Sequence, residues 1–116
     1  MHPPYWRQKA YTSDPRDLSA ARTLGEFLAM FRLVTDNCTR VLAPGGRIAI
    51  LMGDYSDREI GFVPLVYYVK GVCFQAGLRQ PCTEIIRFSY GASSSRREYQ
   101  SSFIPGLHDV VTVFER

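Results

Sequence analysis

Val41-Leu42-Ala43-Pro44-Gly45-Gly46-Arg47-Ile48-Ala49-Ile50-Leu51-Met52-Gly53-Asp54 is the stretch whose reading decides the fold. Pro44 and the two glycines after it cannot continue a helix, so they close the element before them. That element reads as helical. From Thr23 onward Leu24, Phe27, Leu28, Phe31, Val34, Cys38, Val41 and Leu42 recur at helical spacing, and Thr23 with Glu26 stands at capping-box spacing. After the turn comes an apolar run closed by Gly-Asp. Because it does not alternate, it predicts a strand covered on both faces, as in the central parallel strand of an α/β sheet.

Working outward, Pro64 is placed to begin a second helix, with Leu65, Tyr68, Val69, Val72, Cys73 and Ala76 on its face and Gly77 as its stop. A strand rich in β-branched and aromatic residues follows at about Thr83 to Phe88. The stretch from Ser89 to Gly106 is polar and contains Ser93-Ser94-Ser95-Arg96-Arg97. A Val-rich strand, Asp109 to Phe114, closes the chain. The order helix, strand, helix, strand, strand predicts a layered α/β sheet. With no helix between them, the last two strands should pair antiparallel at one edge. Such a sheet is only part of a doubly wound one, and its open edge should be adhesive.

The totals agree with a single small domain spanning residues 1–116, with 46% hydrophobic and 22% charged residues. That balance excludes a disordered chain. No apolar run is long enough to span a membrane, and the polar, Pro-rich start does not resemble a signal peptide, so a cytoplasmic setting is expected. Cys38, Cys73 and Cys82 fall in predicted core elements and read as buried thiols in a reducing compartment, with no metal-ligand spacing. The formal net charge of +3 points only weakly to an anionic partner.

Ahead of the first helix stand His2-Pro3-Pro4-Tyr5-Trp6. Two consecutive prolines fix φ and remove two backbone donors, so the segment is stiff and extended. An aromatic directly after them is held on a rigid stalk beside bare carbonyls. That arrangement suits a flat group that must be stacked and bound through its own donors, such as a flipped nucleobase with an exocyclic amine. The alternative is a tail in which Pro-Pro is a spacer and Tyr5 and Trp6 merely pack.

His2-Pro3-Pro4-Tyr5-Trp6, then a helix ending in Arg40-Val41-Leu42-Ala43-Pro44-Gly45-Gly46-Arg47, then a strand ending in Gly53-Asp54, together resemble the DNA amino-methyltransferases. These enzymes move a methyl group from S-adenosylmethionine to N6 of adenine or N4 of cytosine. Their signature is Asp, Asn or Ser before Pro-Pro and an aromatic, at the carboxyl end of the fourth strand of the class I methyltransferase sheet. The Val-Leu-x-Pro-Gly-Gly turn is common to class I methyltransferases generally. The resemblance covers nearly the whole chain. It implies an α/β fold that is part of a Rossmann-like class I methyltransferase sheet, with DNA as partner and restriction-modification as a setting.

Carried over by position, Tyr5 stacks on the flipped base, while Pro3, through its carbonyl, and residue 2 accept from the two N–H bonds of the target amine. Pro4 stiffens this corner. Accepting both N–H bonds favours a pyramidal nitrogen able to attack a sulfonium methyl in line. Trp6, Arg96 and Arg97 become candidates for substrate contact, the arginines with Tyr90 and Tyr99 from the long polar stretch. A solvated Ser/Arg loop is the equal alternative. Arg7 and Lys9 are weaker candidates for the DNA backbone. Asp54 lies where ligands of such sheets bind and is the one candidate for a cofactor contact, or else a turn residue. His108 reads as structural.

Two departures qualify what the resemblance implies. His2 replaces the usual Asp, Asn or Ser; a neutral imidazole accepts one hydrogen bond and a protonated one accepts none. Gly-x-Gly occurs nowhere, and no acidic residue ends a second strand to hold a ribose. The chain therefore reads as the acceptor half of the enzyme, lacking the cofactor-binding half, and is expected to bind S-adenosylmethionine weakly or not at all by itself. The missing half, or a second copy in a homodimer, should cover its open surface. Two other functions fit: a non-catalytic remnant or assembly subunit, and a methyltransferase of an RNA base or a protein glutamine amide.

Overall fold

The computed structural model describes residues 1–57, 59–88 and 108–116. Helix α1, Leu24–Val41, starts on the expected capping box: the Thr23 side chain accepts from the Glu26 amide, and the Glu26 carboxylate accepts from the Thr23 amide. These bonds satisfy donors that the first turn leaves free. Strand β1 is Arg47–Met52. Helix α2, Leu65–Gln75, follows Pro64, and Gly77 adopts φ +84° just past its end, a conformation side chains resist. Two further strands complete the main sheet, β4 at Ile85–Phe88 and β5 at His108–Glu115. A short hairpin that the sequence did not suggest, β2 (Tyr55–Asp57) with β3 (Gly61–Val63), lies between β1 and α2.

The expected antiparallel pairing of the last two strands is present, Ile85 opposite Val111 and Phe88 opposite His108. The pair lies at one edge of the sheet, as expected, with β4 outermost. β5 sits between β1 and β4 and pairs antiparallel with both, so β1 and β4 run parallel to each other. On its other side β1 meets the start of the chain. The Leu51 amide donates to the Met1 carbonyl at 3.0 Å, and the Met1 ammonium donates to the Ala49 carbonyl, the staggered pattern of a parallel pair.

β1 was expected to be covered on both faces. Instead its burial alternates, with Ile50 and Met52 buried and Arg47 and Ala49 exposed. The reason is that, among the described residues, one layer packs on it. In register with Ile50 and Ile48, Thr112 and Phe114 of β5 are also buried, and the Phe74 ring of α2 meets Phe114 edge-on at 5.7 Å. Phe27 and Phe31 from α1 and Leu65, Val69, Val72 and Cys73 from α2 complete this core. Each large side chain fully withdrawn from water contributes about 1.5–3 kcal/mol before the entropy of ordering it is subtracted.

Two features of the core differ from the periodic reading. Val34 and Val41 are exposed, and Thr35 takes the inward place on α1, its hydroxyl donating to the Phe31 carbonyl at 2.9 Å. A threonine can occupy an apolar layer when its hydroxyl returns to the preceding turn in this way. Of the three cysteines only Cys73 is buried, where desolvation pushes its thiol up to about 12 and keeps it protonated. Cys38 is half-buried and Cys82 exposed.

The last residues are stitched to the turn that feeds β1. The Gly45 amide donates to the Arg116 carbonyl and the Arg116 amide to the Gly46 carbonyl, both at 3.0 Å, and the Arg116 guanidinium caps the end of α1 at the Leu42 carbonyl. Gly45 needs its glycine for φ +74°; at Gly46 a Cβ would stand 2.8 Å from the Ala43 carbonyl oxygen.

Candidate active site

The chain leaves the side of β1 and turns at the two prolines. Pro3 is buried, Pro4 half-buried, and His2 is exposed. A 3-10 turn follows at Trp6–Gln8, closed by the Gln8 amide on the Tyr5 carbonyl at 3.1 Å. Trp6 has φ +48°, among the described residues the one non-glycine position in this region of φ. A side chain there costs about 1–2 kcal/mol. Its own anchoring offsets the cost. The indole is 3% exposed, its N–H donates to the Ala21 carbonyl at 3.1 Å, and its ring packs against Tyr55 with centroids 5.2 Å apart.

Trp6, a candidate for substrate contact on the sequence, is therefore a core residue. A ring this deep in the protein meets no base. The Arg7 guanidinium lies 5.9 Å from its centroid and 3.7 Å from Glu59, while Lys9 lies over Tyr11, so these cations are occupied locally. Tyr5 is the ring left at the surface of the corner. It lies beside Gly53, directly after β1, where a Cβ would stand 2.8 Å from Tyr5 Cε2 and collide with Asp109 Oδ1. Only glycine admits both the ring and the carboxylate at this spot.

Tyr5 has two polar neighbours. The His2 Nε2 lies 3.3 Å from its hydroxyl, with the two rings edge to face at 5.5 Å. The other is the Asp109 carboxylate of β5, beside the same Gly53 and opposite Arg87 of β4 in the register. Burial, and then the Asp109 carboxylate through charge and hydrogen bonding, push the Tyr5 phenol up to about 12, with Arg87 acting in the opposite sense. The hydroxyl thus keeps its proton. Gly53 was visible in the sequence only as the end of a strand. Asp109 and Arg87 were missed, because only the strand register brings them to Tyr5.

Asp54, read from the sequence as a cofactor contact or a turn residue, caps a helix. Its Oδ1 accepts from the Val66 amide at 3.0 Å, capping α2, because Pro64 at the helix start has no side-chain acceptor to offer. Asp54, His108 and Glu84 border a cavity of about 320 Å³ at the carboxyl end of β1, on the face that carries the helices and away from Tyr5. A larger groove of about 680 Å³ separates the outer surfaces of α1 and α2. Arg96 and Arg97, with Tyr90 and Tyr99, lie outside the described residues. Among the described residues no group of three or more His, Cys, Asp or Glu is placed to hold a metal, and no helix is long and apolar enough to cross a membrane.

The fold has a counterpart among solved structures. TTHA0409 of Thermus thermophilus, named "Putative DNA Modification Methylase", matches in its complex with S-adenosyl-L-methionine with a TM-score of 0.69 over 99% of this chain, at 21% identity. The fold is methyltransferase-like. A selenomethionine crystal of the same protein matches with a TM-score of 0.64 over 79% of the chain. This chain spans 45% and 37% of those two chains, less than half of their length. No family model matches it, and neither does any curated protein.

Proposed function

We propose that this chain is the acceptor-binding part of a DNA amino-methyltransferase, which methylates N6 of adenine or N4 of cytosine in a base flipped from the duplex. The observation that carries the reading is the corner itself. A tyrosine ring follows two prolines at the end of a segment parallel to β1, seated on Gly53 with its hydroxyl engaged. With that hydroxyl engaged, the ring offers its face, the part a base stacks on. In this reading the Pro3 carbonyl and His2 accept the two N–H bonds of the target amine. Pro4 keeps the spacing between them and the ring.

The methyl donor, S-adenosylmethionine, has no cradle in this sequence. Gly-x-Gly is absent, and the one acidic candidate, Asp54, caps α2. We assign to this chain the acceptor side and no step at the donor. The complete enzyme then needs a separate cofactor-binding part, in keeping with a match to less than half of TTHA0409. The same observation supports a second reading, an assembly subunit that carries the fold without turning over.

The reading is tested on the chain as it stands with an oligonucleotide carrying 2-aminopurine opposite a mismatch, whose fluorescence reports unstacking and capture of the base. Saturable binding is expected, weakened about ten- to a hundred-fold by Tyr5→Ala, the range of one base-aromatic stack. Tyr5→Trp should keep most of it. Equal binding by Tyr5→Ala and the parent would make Pro3-Pro4-Tyr5 a spacer.

A further inference from the structure

We infer that Asp109 contacts the base at this corner, its carboxylate accepting from the exocyclic amine and so selecting amine-bearing bases over those with a carbonyl at that position. This rests on the stacking role proposed for Tyr5. It begins from what His2 leaves open. The His2 Nε2 lies 3.3 Å from the Tyr5 hydroxyl, and a neutral imidazole has one nitrogen able to accept. When Nε2 accepts from the phenol, Nδ1 carries the proton and the ring has nothing left for an amine. A carboxylate has no such dependence: both of its oxygens accept, and neither donates.

Asp109 is placed for this. A Cβ on Gly53 would lie 2.4 Å from Asp109 Oδ1 and 2.8 Å from Tyr5 Cε2, so the oxygen and the edge of the ring flank a single point beyond the end of β1. Alternation along β5 puts Asp109 with Val111 and Val113 on the face away from the helices, the face toward which Gly53 opens. Asp109 is half-buried, and no ion pair among the described residues uses its carboxylate, Arg87 opposite it in the register included. Aromatic pairs prefer to stack offset. A base offset toward Cε2 overhangs the ring there and brings its own edge to the carboxylate. An N–H at that edge gains a charge-assisted hydrogen bond, whereas a carbonyl would set lone pairs against a negative charge. Cytosine and adenine carry an amine where uracil and hypoxanthine carry an oxygen, so Asp109 discriminates within each pair.

The test compares duplexes that differ in one mismatched base, cytosine against uracil and adenine against hypoxanthine, with binding read by fluorescence anisotropy. The parent should favour the amine-bearing member of at least one pair about ten-fold or more, the scale of one hydrogen bond to a charged group. Asp109→Asn has the same shape but an amide that also donates to a carbonyl. It should bring the ratio close to one, chiefly by binding the oxo base more tightly. Asp109→Ala should abolish the preference by binding the amine-bearing base more weakly, and it serves if Asp109→Asn does not fold. A parent that binds both members of each pair equally, or variants that keep its ratio, would overturn the inference and leave Tyr5 standing as a platform. Capture of no base at all by the parent would instead sink the proposed function, and the role of Asp109 with it.

Discussion

The two faces of the main sheet differ in what they are used for. On one, Ile50, Met52, Thr112 and Phe114 are sealed under α1 and α2. On the other, Ala49 is exposed, Leu51, Val111 and Val113 are half-buried, and Ile85 remains 57% exposed. The same open face carries Gly53 and Asp109 at its end, where Tyr5 sits. The covered face holds the fold and the open face holds the candidate chemistry. Substitutions should therefore separate into those that unfold the protein and those that disarm the corner.

The largest effect should come from the covered face. Phe31→Ala removes a fully buried ring stacked near Phe27, and a loss of about 3–5 kcal/mol in urea denaturation is expected. A loss below about 1 kcal/mol would mean that the helical layer is not the principal source of stability. Gly53→Ala, on the open face, should cost about 1–3 kcal/mol as an overpacked contact. It should also displace Tyr5, seen as a shift of its ring resonances while the signals of α1 stay in place. If Tyr5 does not move, the seat we describe is not one. Asp54→Ala sits where the faces meet and should cost about 1 kcal/mol, the usual value of a lost helix cap, without affecting capture of a base. Impaired base capture with an intact α2 would restore Asp54 to the functional residues.

A pH effect should be smallest, because its partners are mostly solvated. The Glu115 carboxylate, paired first with Arg47 and also with Arg79, is held below the usual carboxylate range. A lowered value in the folded state means that the pairs stabilise above the unfolded value of about 4.3 and fail as pH falls through the lower, folded one. The urea midpoint of the parent should drop between neutral pH and about pH 3 by more than that of Glu115→Gln. Equal drops would remove Glu115 from the account of the open face.

Local rules made much of this legible. The capping box at Thr23 and Glu26, the stop at Pro44-Gly45-Gly46 and the span of α2 are set by residues a few positions apart, and the structure has them where the sequence put them. What escaped depends on distant neighbours. Whether Ile48 to Met52 is covered once or twice depends on which layers are present, not on the run itself. β5 sits between β1 and β4 because of pairing across more than fifty residues. Trp6 looked like a partner for Tyr5, because adjacent aromatics read alike until a positive φ sends one inward. At the candidate site, Tyr5 and its prolines were legible, whereas the Asp109 carboxylate beside them came only with the strand register.

The two ends of the chain also have a mechanical consequence. Met1 grips the outer edge of β1, and Arg116 is fastened to the turn that starts it. Tension applied between the termini would enter the molecule through this one strand. β1 would have to be sheared from its neighbours before either helix felt the load, so a tether at both ends would report the strength of the sheet rather than that of the helical layer.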